Sequence, residues 1–157
     1  MRSPRDGLRQ RFIAGALAGV AAAVTFATVM EADRRVLGRN TDDLMLLGRF
    51  VSPREQTARI VGLGLHLLNG GMLGGVYGAA FHEWLPGAPS FRGALFANAE
   101  NLTLYPLALL ENHHPAIRDG QIDRYWNGTA FAQETLRHVV FGLILGEGTE
   151  RILRSTR

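Results

Sequence analysis

The sequence predicts an all-α protein, a bundle of four transmembrane helices made of two similar helical hairpins. Three observations predict this fold class: a hydrophobic content of 46%, an uncharged segment at 12–30, and a histidine–glycine pattern that occurs twice. As an α-helix, the segment 12–30 nearly matches a hydrocarbon core of about 30 Å. With 157 residues, the chain is expected to form a single integral membrane domain, 1–157.

The repeated pattern is a histidine followed by two glycines at four-residue steps. Its two copies are His66-Gly70-Gly74 and His138-Gly142-Gly146. Steps of four residues keep side chains on one helix face, so each copy places an imidazole above two bare patches of backbone. The triplet at 15–17 also recurs at 93–95. We interpret both matches as an internal repeat of a helical hairpin.

The first predicted span covers about residues 12–32. It carries a seam of small residues that would let another helix approach closely. The members of this seam are Gly15, Gly19, Ala23 and Ala27. In the polar connection that follows, the apolar residues of 42–51 share one face, which predicts a short interfacial helix on the membrane surface, capped by Thr41.

The second span is expected over about 56–81, with Ser52 as its cap and Pro53 in its first turn. Its many glycines are tolerated better in membrane helices than in water-exposed ones. The third span, about 91–111, is the most polar of the four, and Pro106 is expected to kink it. The fourth, about 129–153, begins with polar residues and then becomes apolar. Four spans place both termini on one side.

The charge pattern favours a membrane over nucleic acid as the partner. Every Lys or Arg position is an arginine, and the arginines flank the apolar segments, as membrane anchors do. A nucleic-acid site would instead need a basic stripe with interleaved aromatic residues. Equal numbers of arginines fall on the two predicted sides, so sidedness is not assigned. We expect a multi-pass protein of the inner membrane, alone, as a homo-oligomer or in a larger membrane complex.

Seven polar residues are expected at membrane depth, where an unpaired charge is costly and normally faces the bundle interior. They are His66, Asn69, Glu100, Asn101, Glu134, Arg137 and His138. We expect Glu100 to neutralise Arg137 or a protonated His138. The favoured interpretation is that these pairs fix the packing of the helices. Proton or small-solute conduction through the cluster is an alternative.

A second alternative is a redox cofactor. His66 and His138 would lie at similar depths on parallel helices, with glycines that leave room for a b-type haem. A non-haem metal site could use the same two histidines with Glu100 and Glu134, although Glu134 and His138 are four residues apart and di-iron bundles use a spacing of three. The remaining histidines, His82, His113 and His114, are expected at the surfaces. No cofactor is predicted.

Motifs of known enzyme classes do not occur in the sequence. It has no nucleophile elbow of the Gly-x-Ser-x-Gly type, no phosphate-binding loop and no dinucleotide fingerprint. The absence of cysteine excludes disulfides and thiolate metal sites. The sequence therefore favours a structural or accessory component of a membrane over an enzyme.

A wider set of short motifs resembles a known group of proteins. The motifs are His66-x-x-Asn69-Gly70, Tyr77-Gly78, Leu85-Pro86-Gly87, Arg92-Gly93, His114-Pro115 and Arg137-His138-x-x-Phe141-Gly142. Together they resemble uncharacterised small multi-pass membrane proteins of bacteria, including proteins similar to the YagU inner-membrane type. The resemblance implies a membrane location and four helices, and it implies no reaction, cofactor or catalytic residue.

Overall fold

The computed structural model describes residues 4–156, and over this range the secondary structure is entirely helical, with no β-strand. The all-α prediction is confirmed for these residues. The helices are α1 (Pro4–Leu37), α2 (Asp43–Gly48), α3 (Glu55–Val76), α4 (Pro89–Leu104), α5 (Pro115–Arg118) and α6 (Gly128–Ser155). A π-helical segment (Tyr77–Phe81) extends α3, and a 3-10 segment (Tyr105–His113) extends α4.

Helix α1 is longer at both ends than the predicted span because its flanking charges are helical too. Asp6 lies in the first turn, while Arg34 and Arg35 lie in the last. Charges of these signs interact favourably with the helix dipole at the respective ends. The helix ends just before Gly38, whose φ of +64° is the left-handed conformation that commonly follows a helix and that glycine adopts without strain.

Helix α1 lies at the centre of the structure. It packs against α3 on one side and α6 on the other, and α4 packs against the far side of α6. Contacts of Gln10 with Thr156 and of Asp33 with Arg137 show that α1 and α6 are antiparallel. We call the end where α1 starts and α6 finishes the terminal end, and the opposite end, where both long connections lie, the loop end.

Two of the helix pairs meet through glycines. Where α1 crosses α3, Gly15 and Gly19 face Gly70 and Gly74, and a Cβ built on Gly74 would lie 2.8 Å from the Gly19 Cα and closer still to the Gly15 carbonyl oxygen. Where α4 crosses α6, Gly93 approaches the backbone of Gly142 and Gly146 in the same way. All six glycines predicted for helix packing therefore lie at one of these two crossings, where a side chain would separate the backbones.

Helix α2 does not match the predicted interfacial helix in two respects. It spans only 43–48, and Asp42, not Thr41, is its N-cap, accepting hydrogen bonds from the amides of Leu44 and Met45 at 3.1 Å. Met45 is buried, and Gly48 packs directly on the Ala58 backbone of α3. One face of α2 is therefore covered by α3, and its expected position along the membrane surface stays a prediction.

Three further local predictions are corrected by the structure. Ser52 does not cap α3: it accepts a hydrogen bond from the Arg54 amide at 3.2 Å, and Arg54 itself occupies the N-cap position. Pro106 coincides with a change from α to 3-10 geometry at Tyr105, which accommodates a residue without an amide hydrogen. His82 is buried, 2.9 Å from Glu150, because the preceding π turn points it inward.

Two long connections pack against each other at the loop end: the first, 38–54, joins α1 to α3, and the second, 114–127, joins the 3-10 segment to α6. Asn40 exchanges backbone and side-chain hydrogen bonds with Gln121 and Asp123 at 2.7–3.0 Å, and Arg49 pairs with Asp119 at 2.6 Å. A separate small core, with Met45, Ala58, Ala116, Ile122 and Tyr125 buried in it, lies beneath these contacts. The connections therefore form an ordered cap on the bundle.

Two of the helical segments are long and apolar enough to cross a membrane, Arg5–Leu37 and Glu55–Phe81. Among the described residues, α4 and α6 do not meet the same criterion of length and hydropathy. Helix α4 has only 16 residues, and in α6 the charged residues Glu134 and Arg137 interrupt the apolar stretch.

Replacing Gly74 with alanine should destabilise the protein. The added methyl group would press on the backbone of α1, and overpacking of this kind typically costs about 1–3 kcal/mol. Gly64→Ala is the matched control, because a Cβ at Gly64 has no atom within 4 Å and alanine is the better helix former. Thermal unfolding of the purified variants measures both effects, and equal stability of Gly74→Ala and Gly64→Ala would contradict the close crossing.

Candidate functional site

A cavity of about 640 Å³ lies at the loop end of the bundle. Its walls come from α3, α4 and α6, and it is covered by α2 and the 3-10 segment. Most of the lining is apolar, with contributions from Leu46, Phe50, Leu73, Leu107 and Phe141. The two connections thus cover a chamber that the helices leave open between them.

Six of the seven polar residues predicted from the sequence line this cavity. They are His66, Asn69, Glu100, Asn101, Glu134 and His138. The seventh, Arg137, lies behind the wall and is completely buried, with 0% of its surface exposed. Residues from three helices, distant in sequence, therefore converge on one chamber.

Arg137 is held by carboxylates that sequence analysis did not select for it. Its Nε and Nη2 donate to the two carboxylate oxygens of Asp33 at 2.7 and 2.6 Å, and its Nη1 donates to Glu134 at 2.7 Å. The expected partner Glu100 is not in contact with the guanidinium, so that half of the prediction is wrong. A two-point contact with a carboxylate is the strongest arrangement open to arginine, and it joins α6 to the end of α1.

The remaining contacts of Arg137 and Asp33 involve residues of the first connection, of α2 and of α6. Thr41 accepts from Nη2 through its hydroxyl at 2.9 Å, and Gln133 donates to Asp33 at 3.0 Å. Asp43 lies 3.5 Å from Nη1 and accepts a hydrogen bond from the Tyr125 hydroxyl at 2.9 Å. The guanidinium therefore connects α1, α2 and α6 within the buried interior.

Asp33 could have been found from the sequence. It follows Phe26 and Met30 at steps of four and three residues, and both of these are buried. A carboxylate in register with an apolar stripe faces the interior of a helix pair and needs a buried partner there. Thr41 and Asp43 gave no such signal, because they lie in a connection and at the start of a short helix.

A second ionic group lies beside the first, on the outer side of α2. Asp42, the cap of α2, also pairs with Arg34 at 2.9 Å and Arg59 at 3.4 Å. Glu31 contacts the same two arginines at 3.1 and 3.4 Å. These pairs join the end of α1 to the start of α3 and fix the position of α2 over the cavity.

His138 and Glu100 form the pair that the sequence predicted as one of two options. The Nδ1 of His138 lies 2.7 Å from the Glu134 carbonyl oxygen, so Nδ1 must carry a hydrogen. Its Nε2 lies 3.3 Å from a carboxylate oxygen of Glu100. Two lone pairs would repel at this contact, and a proton held by either His138 or Glu100 makes it attractive. The contact joins α6 to α4 at the cavity wall.

His66 faces the same cavity from α3. Its Nε2 donates to the carbonyl oxygen of Ala23 at 3.1 Å. The ring of Phe26 lies between the two histidines, with centroid distances of 5.0 Å to His66 and 5.1 Å to His138. Axial ligation of a haem by both histidines would require Phe26 to move and the Nε2 of each ring to leave its present partner.

Metal binding finds no preformed arrangement in the part of the chain that the structure describes. Within residues 4–156, no three side chains of His, Asp or Glu come together in a way that could hold a metal ion. Some oxygen and nitrogen atoms of the cavity wall pair with one another instead, as in the contact between His138 and Glu100.

A comparison with known protein families assigns the chain to one of them. The model of the Family of unknown function (DUF6789) matches residues 9–157. The chain belongs to the DUF6789 family. No curated protein matches the chain, and no solved structure matches it either. The match agrees with the expected uncharacterised family and adds no support for the YagU type.

Two titratable groups of this DUF6789 protein lie where the connections cover the cavity. His114 was expected at the surface and is instead buried, with its Nε2 donating to the Leu46 carbonyl oxygen at 2.8 Å and its Nδ1 accepting from the Ala116 amide. Burial lowers the pKa of His114. Burial, and next the neighbouring Asp43, raise the pKa of Tyr125 well above its usual value. His113, by contrast, is exposed as expected.

The buried, neutral His114 should make stability depend on pH. Its pKa is lower in the folded state than the unfolded value of 6.5, so the unfolded state binds more protons and stability falls as the pH drops below about 6.5. The slope due to this group is at most about 1.4 kcal/mol per pH unit. His114→Asn keeps a capping acceptor but does not titrate. Thermal unfolding between pH 7.5 and 5.5 should show a smaller loss in the variant, and identical pH profiles would contradict this role.

Proposed function

We propose that this DUF6789 protein is a multi-pass protein of the inner membrane in which α1, α3, α4 and α6 all cross the bilayer. We further propose that its cavity binds a largely apolar ligand that enters from the lipid phase. The observation that carries the proposal is a large, partly open chamber with mostly apolar walls, bordered by helices whose outward faces are also apolar.

The outward faces of α1 and α3 favour lipid as their surroundings. In the most apolar stretch of 18 residues, only 39% is buried inside the protein in α1, and only 28% in α3 with its π-helical extension. The central helix of a water-soluble domain would bury most of such a stretch. Exposed side chains along these two helices include Leu17, Val24, Leu68 and Met72, and a continuous apolar surface of this kind marks a contact with lipid or with a partner.

Helices α4 and α6 fit the same surroundings because their charges face inward. Between Arg92 and Glu111, and between Gly128 and Gly146, the exposed positions are uncharged. The exposed apolar side chains there that do not line the cavity are Leu95, Leu102, Leu109, Leu136, Leu143 and Ile144. Glu134 and Arg137 are buried, and Glu100 faces His138. Charges turned inward at this depth are typical of membrane bundles.

The two glycine crossings support an origin by duplication. The pair of α1 and α3 and the pair of α4 and α6 are both antiparallel and meet through glycines that belong to the repeated pattern. The histidine of each copy also lies next to Phe26. The proposed kinship with YagU-type proteins rests on the short motifs alone.

A binding role explains the cavity better than the other roles considered. Its volume of about 640 Å³ falls in the usual range for small-molecule sites, which are mostly apolar with a few polar groups. A purely structural component would be expected to fill such a space. For conduction, polar groups would have to continue from the cavity to the terminal end. The apolar side chains of Ala22, Ala97 and Leu145 instead lie along their helices between the cavity and the next polar pair, His82 and Glu150.

Single cysteines should report which helices are in lipid, since the chain has no cysteine of its own. In native membranes, Leu102→Cys and Leu136→Cys on α4 and α6 should react with a water-soluble maleimide at least about tenfold more slowly than Arg118→Cys, because an apolar surrounding suppresses the thiolate. Arg118→Cys at the loop end and Arg151→Cys at the terminal end should be labelled from opposite sides. Rapid labelling of positions 102 and 136 without detergent would contradict four spans.

Photolabelling with benzophenone, a neutral apolar probe, tests the cavity. In irradiated membranes, peptide mapping by mass spectrometry should find label on Leu73 and Phe141, which line the chamber. Ala108→Trp, which fills the chamber from the 3-10 segment, should remove most of that label. Ala132→Trp is the control, because Ala132 is exposed on α6 and does not line the cavity. Label confined to outward-facing residues in the unaltered protein would refute a ligand cavity.

A further inference from the structure

The charged groups of the cavity are unbalanced. Four carboxylates line it, Asp43, Glu100, Glu111 and Glu134, and no arginine does. Arg137 lies behind the wall, where Asp33 occupies two of its donors. Even when the proton of the pair resides on His138, the carboxylates of this region outnumber its cations. In surroundings of low dielectric, such an excess of negative charge attracts a positive ligand strongly.

The wall also contains a polar side chain without a partner. Asn101 lines the cavity, is only 5% exposed, and its amide Nδ2 has no hydrogen-bond partner. A buried N–H donor without an acceptor costs free energy, which a ligand with an oxygen or nitrogen lone pair can recover. This donor and the Glu100 carboxylate both line the cavity, so they can act on different parts of one ligand.

We propose that the ligand is a lipophilic organic cation, an amine or onium group with apolar substituents and a hydrogen-bond acceptor, whose charge is bound by Glu100 and whose acceptor is bound by Asn101. The inference rests on the proposed membrane cavity and adds the charge of its occupant. The apolar walls would hold the substituents, and the Glu100 carboxylate, 19% exposed in its side chain, is within reach of the positive centre. Lipids concentrate such cations at a membrane, which gives them access to a chamber open to the bilayer.

A pair of ions with the same shape and opposite charge provides the test. Tetraphenylphosphonium and tetraphenylborate are compared by equilibrium dialysis against the full chain in a neutral detergent, with protein-free micelles subtracted. We expect the phosphonium to bind roughly tenfold more tightly or better, which is the effect of about 1.4 kcal/mol. Equal binding of the two ions, or preference for the borate, would overturn the proposal.

Variants then locate the charge. Glu100→Gln, which keeps the size of the side chain, should weaken phosphonium binding roughly tenfold or more. Glu147→Gln, the same change on the exposed surface of α6 near the terminal end, should leave the affinity unchanged. If Glu100→Gln does not fold, the comparison of the two ions on the unaltered protein still decides. If benzophenone labels the chamber but the two ions bind equally, only the cationic ligand is refuted and the cavity stands. If benzophenone does not label the chamber and the phosphonium is not preferred, the cavity itself is refuted.

Discussion

The buried pair of Arg137 and Asp33 determines much of the rest of the structure. A guanidinium without exposed surface must be matched by carboxylates and further acceptors, because an unpaired charge in an apolar interior is prohibitively costly. Asp33 supplies two contacts from α1, and Glu134 supplies another from α6 itself. Thr41 brings the first connection to the same point. Once these groups meet, the loop end of α1 is fixed against α6 and the start of α2 is fixed over both.

The two halves of the bundle are held together by different means. Towards the terminal end, glycines such as Gly74 and Gly146 allow backbones to touch, and dispersion contacts between helices dominate. Towards the loop end, the interior instead holds Phe26, two histidines, Arg137 and the cavity. The polar contacts there satisfy one another in pairs, so the chamber can remain open while its wall stays ordered. This division places the cavity beneath the connections and a closely packed core beyond it, in which His82 and Glu150 form a further polar pair.

Much of the helical framework could be predicted from local pattern, and most of the site's partners could not. The uncharged segment 12–30 and the steps of four residues identified α1, α3 and α6 with the packing glycines, because those signals lie within a single helix. The polar residues of the chamber were predicted only because they fall within the predicted membrane spans. Asp33, Thr41 and Asp43 were missed, since their contacts with Arg137 join parts of the chain 94–104 positions apart. His82 and His114 were expected at the surface and are buried. A π turn precedes His82, and the packing of the two connections buries His114, and neither feature is visible in the local sequence.

A double-mutant cycle between Asp33 and Arg137 tests most directly whether this pair organises the bundle. Asp33→Asn, Arg137→Gln and the double variant are compared with the unaltered protein by their free energies of unfolding in detergent. Each single change should cost about 3–5 kcal/mol, because it leaves a charge buried without its partner. The double variant should cost less than the sum of the two, with a coupling energy of about 1.5 kcal/mol or more. Additive effects within about 0.5 kcal/mol would contradict the central place given to this interaction.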